Sequence, residues 1–292
     1  MQSAIKQTIA LVEHLRALHP ASSNNSIKKL LEHDRVRVNG AITRVGKTQL
    51  QAGDRVEIGE KVFVKRLPED LEILYEDEHL LVINKKANLL TIATEKEKEE
   101  TVYAYLSAYV KEQKPENKIF IVHRLDKKAS GILVFARSEE VKRKLQAQFE
   151  KHDIERRYIA IVEGRVKDEN GTVQNYLAEN RAYKVYVTDE EKKGKLAITD
   201  YLVKKRTAGY TWLEVTTRTG RKHQIRVHLA GLGHPVIGDK EYGSKKNPLN
   251  RLGLHACRLG FAHPVAGKKT TFEADAPLAF KKMFLRLEKN IA

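Results

Sequence analysis

Short apolar segments with the two-residue alternation of β-strands recur along this chain after residue 70, and few helical segments separate them. The strand-like segments are 71–75, 80–84, 131–136, 158–162, 184–188, 197–204 and 211–217. Helical patterns occupy 102–110, 138–151 and 223–232. Because strands and helices do not alternate regularly, the pattern does not indicate repeated βαβ units. It predicts an α+β fold with a mixed, largely antiparallel sheet and flanking helices.

The first 60 residues have a different texture and predict a small domain of helices and short strands. Leu11, Leu15 and Leu18 share a helical face that Pro20 ends, and a second helix is expected to begin within 22–26. Alternating strands then follow at 36–38, which ends in an Asn-Gly turn signal, and at 55–58. We therefore predict a first domain over 1–60, a linker over 61–69 and a second domain over 70–292.

The net charge restricts the partners of the chain. The 292 residues include 54 Lys and Arg against 38 Asp and Glu, which gives a formal charge of +16. This excess favours a polyanion, and nucleic acid rather than a membrane, because no basic amphipathic helix stands out. Residues 1–66 alone hold 12 basic and 6 acidic side chains. The alternative is a protein whose basic charge serves only solubility.

Cysteine usage and hydropathy indicate the compartment. With Cys257 as the single cysteine, neither an intrachain disulfide nor a cysteine-rich zinc site is possible. The early apolar run 8–12 is interrupted by Glu13, so it does not resemble a signal peptide. No run approaches the ~18 apolar residues of a membrane span. We expect a cytoplasmic protein, and a monomer because nothing requires a partner chain.

The segment 123–134, with the sequence His-Arg-Leu-Asp-Lys-Lys-Ala-Ser-Gly-Ile-Leu-Val, is the main candidate for chemistry. It places the carboxylate of Asp126 between basic side chains, and a small-residue turn and an apolar strand follow. In so basic a chain, this is a position where an acid could act on a bound polyanion. Taken alone, Asp126 is better explained as a turn aspartate that bonds to the backbone, and only its combination with other motifs favours a catalytic role.

Several other readings of the motifs do not hold. His-Arg-Leu-Asp differs from a kinase catalytic loop because Leu125 separates the Arg from the Asp, and no Gly-rich nucleotide loop precedes it. The segment 231–235 lacks the Rossmann spacing, and no P-loop motif occurs. The histidines lack a helical HExxH pattern and a nearby cysteine pair; they are His223, His228, His234, His255 and His263. Neither a metal site nor a nucleotide cofactor is predicted.

Three motifs occur in order along the second domain. The first is Ile-Asn-Lys at 83–85 with the leucines at 89–90, and the second is 123–126 with Ser-Gly at 130–131. The third is Thr-Gly-Arg-Lys-His-Gln-Ile-Arg-Val-His-Leu at 219–229, followed by Gly-His-Pro at 233–235 and Gly-Asp at 238–239. Taken together, these motifs resemble those of the pseudouridine synthases that modify large-subunit ribosomal RNA, and 157–160 matches that family's tyrosine-bearing strand. The resemblance spans about residues 70–275.

This resemblance implies a reaction and the residues that perform it. The enzymes break the carbon–nitrogen glycosidic bond of a uridine, turn the uracil and rejoin it through carbon 5, without a cofactor. The resemblance gives Asp126 the role of nucleophile or base at the sugar. It gives Tyr158 the role of a stacking platform for the uracil, although a half-buried core tyrosine is the alternative. It makes Arg221 the partner of Asp126, with Arg226 as the second choice.

The resemblance also implies residues that bind the substrate. A paired uridine must be flipped out of its helix, and Arg124 matches the residue that fills the gap. His123 is expected to organise the loop, and Leu254 to form an apolar floor under the uracil or to belong to the core. The chain departs from the family at Asn88, where glycine is usual, but asparagine tolerates a left-handed backbone. It departs again at Ala129, where threonine is common.

The first 60 residues resemble the RNA-binding domain first known from ribosomal protein S-four. This similarity implies phosphate contacts that position RNA. Asn24 and Asn25 replace the usual basic residue at the start of the second helix. The alternative is an accessory domain that packs on its neighbour.

The sequence therefore predicts an RNA pseudouridine synthase, an isomerase that acts on large-subunit ribosomal RNA, while transfer RNA stays open. The alternative is a non-catalytic RNA-binding or ribosome-assembly factor with the same fold. Replacing Asp126 by Asn separates the two, because only an enzyme would then lose product while it keeps RNA binding.

Overall fold

A computed structural model describes residues 2–20, 22–32, 35–59, 67–94, 97 and 99–289. Within these residues the chain divides into two compact units, and the second begins at Leu67. Most of the predicted linker 61–69 lies outside the described residues.

The N-terminal unit combines two amphipathic helices with short strands. Leu11 and Leu15 are fully buried on one face of the first helix, as their spacing predicts. The turn after the third strand uses Asn39 at φ 50° and Gly40 at φ 82°, which are the left-handed conformations that a tight hairpin turn requires. The elements of this unit are β1 (Gln2–Ala4), β2 (Ile9–Ala10), α1 (Leu11–Leu18), α2 (Asn24–Glu32), β3 (Val36–Val38), β4 (Ala41–Ile42), β5 (Gln49–Leu50) and β6 (Arg55–Ile58).

The second unit is built around one large sheet. Its strands are β7 (Leu71–Glu76), β8 (Leu80–Lys85), β9 (Phe120–Ile121), β10 (Ser130–Ala136), β11 (Glu155–Glu163), β12 (Asn170–Glu179), β13 (Val185–Thr188), β14 (Lys195–Arg206), β15 (Tyr210–Thr217), β16 (Leu254–Ala262) and β17 (Lys269–Glu273). Its helices are α3 (Val102–Gln113), α4 (Glu139–Glu150), α5 (Gln224–Gly231) and α6 (Leu278–Lys289), with a 3₁₀ turn at Lys240–Tyr242.

The sheet is mixed and largely antiparallel. The order of its main path is β13-β12-β14-β15-β11-β16-β10-β8-β7, while β17 pairs with β16 and β9 pairs with β10. Among the described strands of this sheet, β10 and β16 form the one parallel pair. This arrangement agrees with the predicted mixed sheet with flanking helices.

Helices cover both faces of the sheet. Because successive side chains of a strand point to opposite faces, residues of one strand pack against helices on both sides. On β8, Leu81 and Ile83 pack into the cluster that contains residues of α3, whereas Leu80 and Val82 pack into the cluster that contains residues of α4. On β11, the alternating residues divide in the same way between α5 and α6. The Tyr158 side chain contacts the clusters of both α3 and α5. These two helices therefore cover the face on which Tyr158 lies.

The central strands align four residues in one row across the sheet. Gly131 of β10 is opposite Lys85 on β8 and Ala256 on β16, and Ala256 is opposite Tyr158 on β11. Gly131 has φ 117°, and a Cβ at this position would lie 2.2 Å from the carbonyl oxygen of Ala256. The close approach of β10 and β16 therefore requires glycine at position 131.

Several elements were not predicted from the sequence. The most important is β16, which lies at the centre of the sheet. Its sequence, Leu-His-Ala-Cys-Arg-Leu-Gly-Phe-Ala, mixes small and polar residues and has no clear alternation. The strands β9, β12 and β17 and the helix α6 were also missed.

Candidate active site

The loop between β9 and β10 carries Asp126 and is held by hydrogen bonds to its backbone. The Thr91 hydroxyl donates to the carbonyl oxygen of Leu125 (2.9 Å) and accepts from the Leu125 N–H (3.3 Å). The Asn88 N–H donates to the Lys127 carbonyl oxygen (2.8 Å). Asn88 has φ 71°, so asparagine takes the left-handed conformation predicted for it. These contacts fix the backbone on both sides of Asp126.

Lys85 supports the same loop from below, a role that the sequence did not reveal. Its side chain is fully buried, and Nζ donates to the carbonyl oxygens of Ala129 (2.6 Å), Lys86 (3.0 Å) and Lys127 (3.2 Å). Burial lowers the pKa of Lys85 to about 7. A lysine at the end of an apolar strand usually reaches solvent, so only the fold shows that it is enclosed.

The Asp126 carboxylate pairs with Arg226 across the site. Oδ2 of Asp126 lies 3.2 Å from Nη1 of Arg226, and the Asp126 side chain is 26% exposed. Arg226, which was the second choice for this role, lies in the first turns of α5 and is 4% exposed. One carboxylate oxygen is therefore engaged by a buried guanidinium, while the other, Oδ1, is free of that contact.

The structure corrects the first choice for this role. Arg221 is exposed, and its Nε donates to the Leu196 carbonyl oxygen (3.0 Å) on β14. The position of α5 explains why Arg226 and not Arg221 pairs with Asp126. The helix begins at Gln224, so Arg221 precedes it, whereas Arg226 lies on its buried face. The sequence shows both arginines but does not show where the helix begins.

Three further groups hold Arg226 in place. Asp239, which is fully buried, accepts from Nε (2.7 Å) and Nη2 (2.8 Å), and Glu241 accepts from Nη2 (2.7 Å). The Tyr242 ring lies 4.8 Å from the guanidinium carbon, at the distance of a cation–π contact. Burial opposes the charge of Arg226, but the hydrogen bonds and charges of Asp239, Asp126 and Glu241 together outweigh it and raise the pKa of Arg226. The guanidinium is fixed and charged.

His223 lies beside Asp126 on the other side. Its Nε2 is 3.9 Å from Oδ1 of Asp126, and its Nδ1 is 2.8 Å from the Tyr242 hydroxyl oxygen. The backbone of His223 has φ 52°, in the left-handed region just before α5. Burial lowers the pKa of His223. The sequence placed this residue in the third motif but assigned it no role.

The other predicted residues divide between the site and its support. Arg124 is exposed and, like Asp126, lines a cavity. His123 Nε2 contacts the Val134 N–H (3.2 Å), and burial lowers the pKa of His123 to about 3, so the ring is neutral and bonds to the loop's own strand. Leu254 is 5% exposed and packs in the α5 core cluster with Tyr158, outside the cavity lining. Burial raises the pKa of Tyr158.

The cavity has a volume of about 310 Å³. Its ionisable lining comes from Arg124, Asp126, Lys127, Lys128, His223, Arg226 and Glu241, and Thr91 and Thr94 add hydroxyl groups. A larger hollow of about 610 Å³, near Asp77 and His263, contains none of these residues. The smaller cavity therefore presents an acid, a fixed cation and a neutral imidazole to one bound molecule.

Comparisons with known proteins identify the family to which this fold belongs. A family model described as RNA pseudouridylate synthase matches residues 79–231. An uncharacterized RNA pseudouridine synthase of Aquifex aeolicus is 35% identical over 96% of this chain and 94% of its own. Ribosomal large subunit pseudouridine synthase D of Haemophilus influenzae is 31% identical over 96% and 91%.

The chain belongs to the RNA pseudouridylate synthase family and is an isomerase. The solved structure of human RNA pseudouridylate synthase domain containing 4 has a TM-score of 0.63 at 24% identity, over 74% of this chain and 93% of that one. At this identity the likeness concerns the fold, which matches the mixed sheet described above. The family favours the enzyme over a non-catalytic RNA-binding factor.

In the described part of the chain, every helix is too short or too polar to cross a membrane.

Proposed function

We propose that this enzyme converts specific uridines of large-subunit ribosomal RNA into pseudouridine, with Asp126 as the carboxylate that acts on the ribose. The geometry of Asp126 carries the proposal. Oδ2 contacts Arg226 at 3.2 Å, while the carboxylate lines the cavity where a nucleotide would bind. The choice of RNA is supported by relatives named ribosomal large subunit pseudouridine synthase D, such as that of Haemophilus influenzae.

The chemistry fits the residues present. The reaction breaks a carbon–nitrogen bond and forms a carbon–carbon bond within the same nucleotide, so nothing is oxidised and no redox cofactor is required. A carboxylate beside a fixed guanidinium can attack the sugar or remove a proton from it. The pairing of Arg226 with Asp126 offsets the cost of burying the negative charge. Tyr158 packs against the clusters of α3 and α5 and lies outside the cavity lining, so its role as the aromatic surface for the uracil rests on the family resemblance.

Access to the target requires that the uridine leave its helix, which costs a few kcal/mol. Arg124 is exposed at the cavity, where its long side chain can occupy the vacated position and contact flanking phosphates. In the N-terminal unit, Lys28 and Lys29 are exposed on α2 and can contact phosphates as well. This unit then serves as a second RNA grip, in the manner of the S-four domain that it resembles.

The test maps pseudouridines in total RNA from cells that lack the gene, from wild type, and from cells that carry only Asp126→Asn. Asp168→Asn, which makes the same chemical change at an exposed position away from the cavity, is the matched control. We expect at least one site to vanish in the null and Asp126→Asn strains and to persist with Asp168→Asn. A lost site in transfer RNA would correct the substrate, and intact modification with Asp126→Asn would refute the proposed mechanism.

A further inference from the structure

The hydrogen bonds of Tyr242 determine which nitrogen of His223 carries a proton. The Val185 N–H donates to the Tyr242 hydroxyl oxygen over 3.2 Å, so the hydroxyl hydrogen remains available. Within the described residues, Nδ1 of His223 is the one acceptor that this hydroxyl reaches, at 2.8 Å. Burial raises the pKa of Tyr242 to about 12, so the phenol keeps its proton. Tyr242 therefore donates to Nδ1, and the neutral imidazole carries its hydrogen on Nε2.

A carboxylate lies at a similar distance from each ring nitrogen of His223, so the hydrogen bond from Tyr242 decides the tautomer. Nε2 is 3.9 Å from Oδ1 of Asp126 and Nδ1 is 3.7 Å from Oε1 of Glu241, and both distances are too long for a hydrogen bond. With its hydrogen on Nε2, the imidazole directs this donor towards Asp126.

This donor has no partner within bonding distance among the described residues. The 3.9 Å separation between Nε2 and Oδ1 exceeds the 2.7–3.2 Å of an N–H···O bond. Both His223 and Asp126 line the cavity, so a substrate atom can reach the donor and the acceptor together. A hydroxyl group fits such a pair because it both donates and accepts. In a nucleotide whose C1′ is presented to Asp126, the neighbouring hydroxyl is the ribose 2′-OH.

We propose that His223 is a substrate-positioning residue whose Nε2–H donates to the 2′-hydroxyl of the target uridine, while that hydroxyl donates to Oδ1 of Asp126. This inference rests on the proposed function of Asp126. The bridge holds the sugar against the carboxylate and distinguishes RNA from DNA at the target, because deoxyribose lacks the bridging group. Tyr242 acts through His223 by fixing its tautomer.

The first experiment compares His223→Gln, His223→Asn and His223→Ala on total RNA from cells that lack the gene, with wild type and Asp126→Asn in parallel. The amide nitrogen of Gln can occupy the place of Nε2, and that of Asn the place of Nδ1. Asn fits the left-handed backbone better, so backbone strain alone would favour Asn. We expect Gln to retain a rate near wild type, and Asn and Ala to be slower by about tenfold, the loss of one hydrogen bond.

The second experiment uses a synthetic RNA fragment that spans the modified site, with uridine or 2′-deoxyuridine at the target. The deoxy substitution removes both hydrogen bonds of the 2′-hydroxyl, so it is expected to slow wild type by roughly a hundredfold. In His223→Ala the bond from Nε2 is already absent and only the bond to Asp126 is lost, so the deoxy effect should fall to about tenfold. RNA affinity and thermal unfolding are measured for each variant, since a structural role would alter these instead. Equal rescue by Asn and Gln, or an equal deoxy effect in wild type and Ala, would overturn the assignment of His223. Activity in Asp126→Asn would instead overturn the proposed function itself.

Discussion

Replacing Arg226 by methionine separates the two roles of this residue. Methionine fills a similar length with apolar atoms, but it removes both hydrogen bonds to Asp239, the hydrogen bond to Glu241 and the ion pair with Asp126. Asp239 is fully buried and, within the described residues, its carboxylate has no other bonding partner. Removing one partner of a buried ion pair costs about 3–5 kcal/mol. We expect Arg226→Met to lose that much free energy of unfolding.

The double variant Arg226→Met/Asp239→Asn removes the charge that the single variant leaves uncompensated. The Asn amide is then buried without its partner, so a residual cost of about 1–3 kcal/mol remains. The double variant should therefore be more stable than the single one. Catalysis should not return, because Asp126 still lacks its cation, and we expect both variants to be slower than wild type by roughly 10²–10³-fold.

The assay is equilibrium unfolding in urea followed by the fluorescence of Trp212, the one tryptophan of the chain. Trp212 packs against Phe280 and Phe284, so its emission reports on the second unit. Single-turnover pseudouridine formation is measured on the same preparations. If Arg226→Met unfolds at the wild-type urea concentration, the reasoning from burial is wrong. If the double variant recovers activity together with stability, Arg226 does not act through Asp126.

Three further predictions follow from single residues. Because the pKa of Lys85 is lowered from 10.5 to about 7, the unfolded state binds more protons between these values. The difference in unfolding free energy between wild type and Lys85→Met should therefore increase in favour of wild type from pH 7 to 10, by at most about 1.4 kcal/mol per pH unit. Urea unfolding at several pH values measures this difference, and a difference that does not change with pH would contradict the prediction. Gly131→Ala should cost at least about 3 kcal/mol in the same assay. Gly267 also has a positive φ (69°), but a Cβ there would meet nothing within 4 Å, so Gly267→Ala is the control and should cost about 1–2 kcal/mol. Equal losses of stability in the two variants would argue against the close contact between β10 and β16. Tyr242→Phe keeps the ring under Arg226 but frees the His223 tautomer, so kinetics should show a several-fold slower reaction with unchanged RNA affinity.

Local patterns predicted much of the second unit because its strands alternate and its helices have apolar faces. The segment 211–217 was predicted as a strand and forms most of β15, and 102–110 forms most of α3. The left-handed conformation of Asn88 was also predicted, since few other residue types tolerate it. These features are determined by residues that are close together in sequence, so local patterns are enough to predict them.

Long-range features could not be predicted in this way. The strand β16 has no alternation because both its faces are covered: Ala256 belongs to the cluster of α3, and Leu259 and Phe261 belong to the cluster of α4. The choice between Arg221 and Arg226 depends on the residue at which α5 begins, and boundaries are the least certain part of any pattern. The burial of Lys85 depends on three carbonyl groups, two of them more than forty positions away.

The geometry of Arg226 explains why one residue can stabilise the fold and take part in the site. Its Nε and Nη2 bind the buried Asp239, whereas Nη1 points to Asp126, one hundred positions away in sequence. A lysine ammonium offers one nitrogen and could not bind both carboxylates in this planar arrangement. The buried Asp239 therefore fixes the guanidinium of Arg226, and the guanidinium in turn fixes the carboxylate of Asp126 on its loop. The precision of the site at Asp126 comes from that rigid connection, supported from below by Lys85.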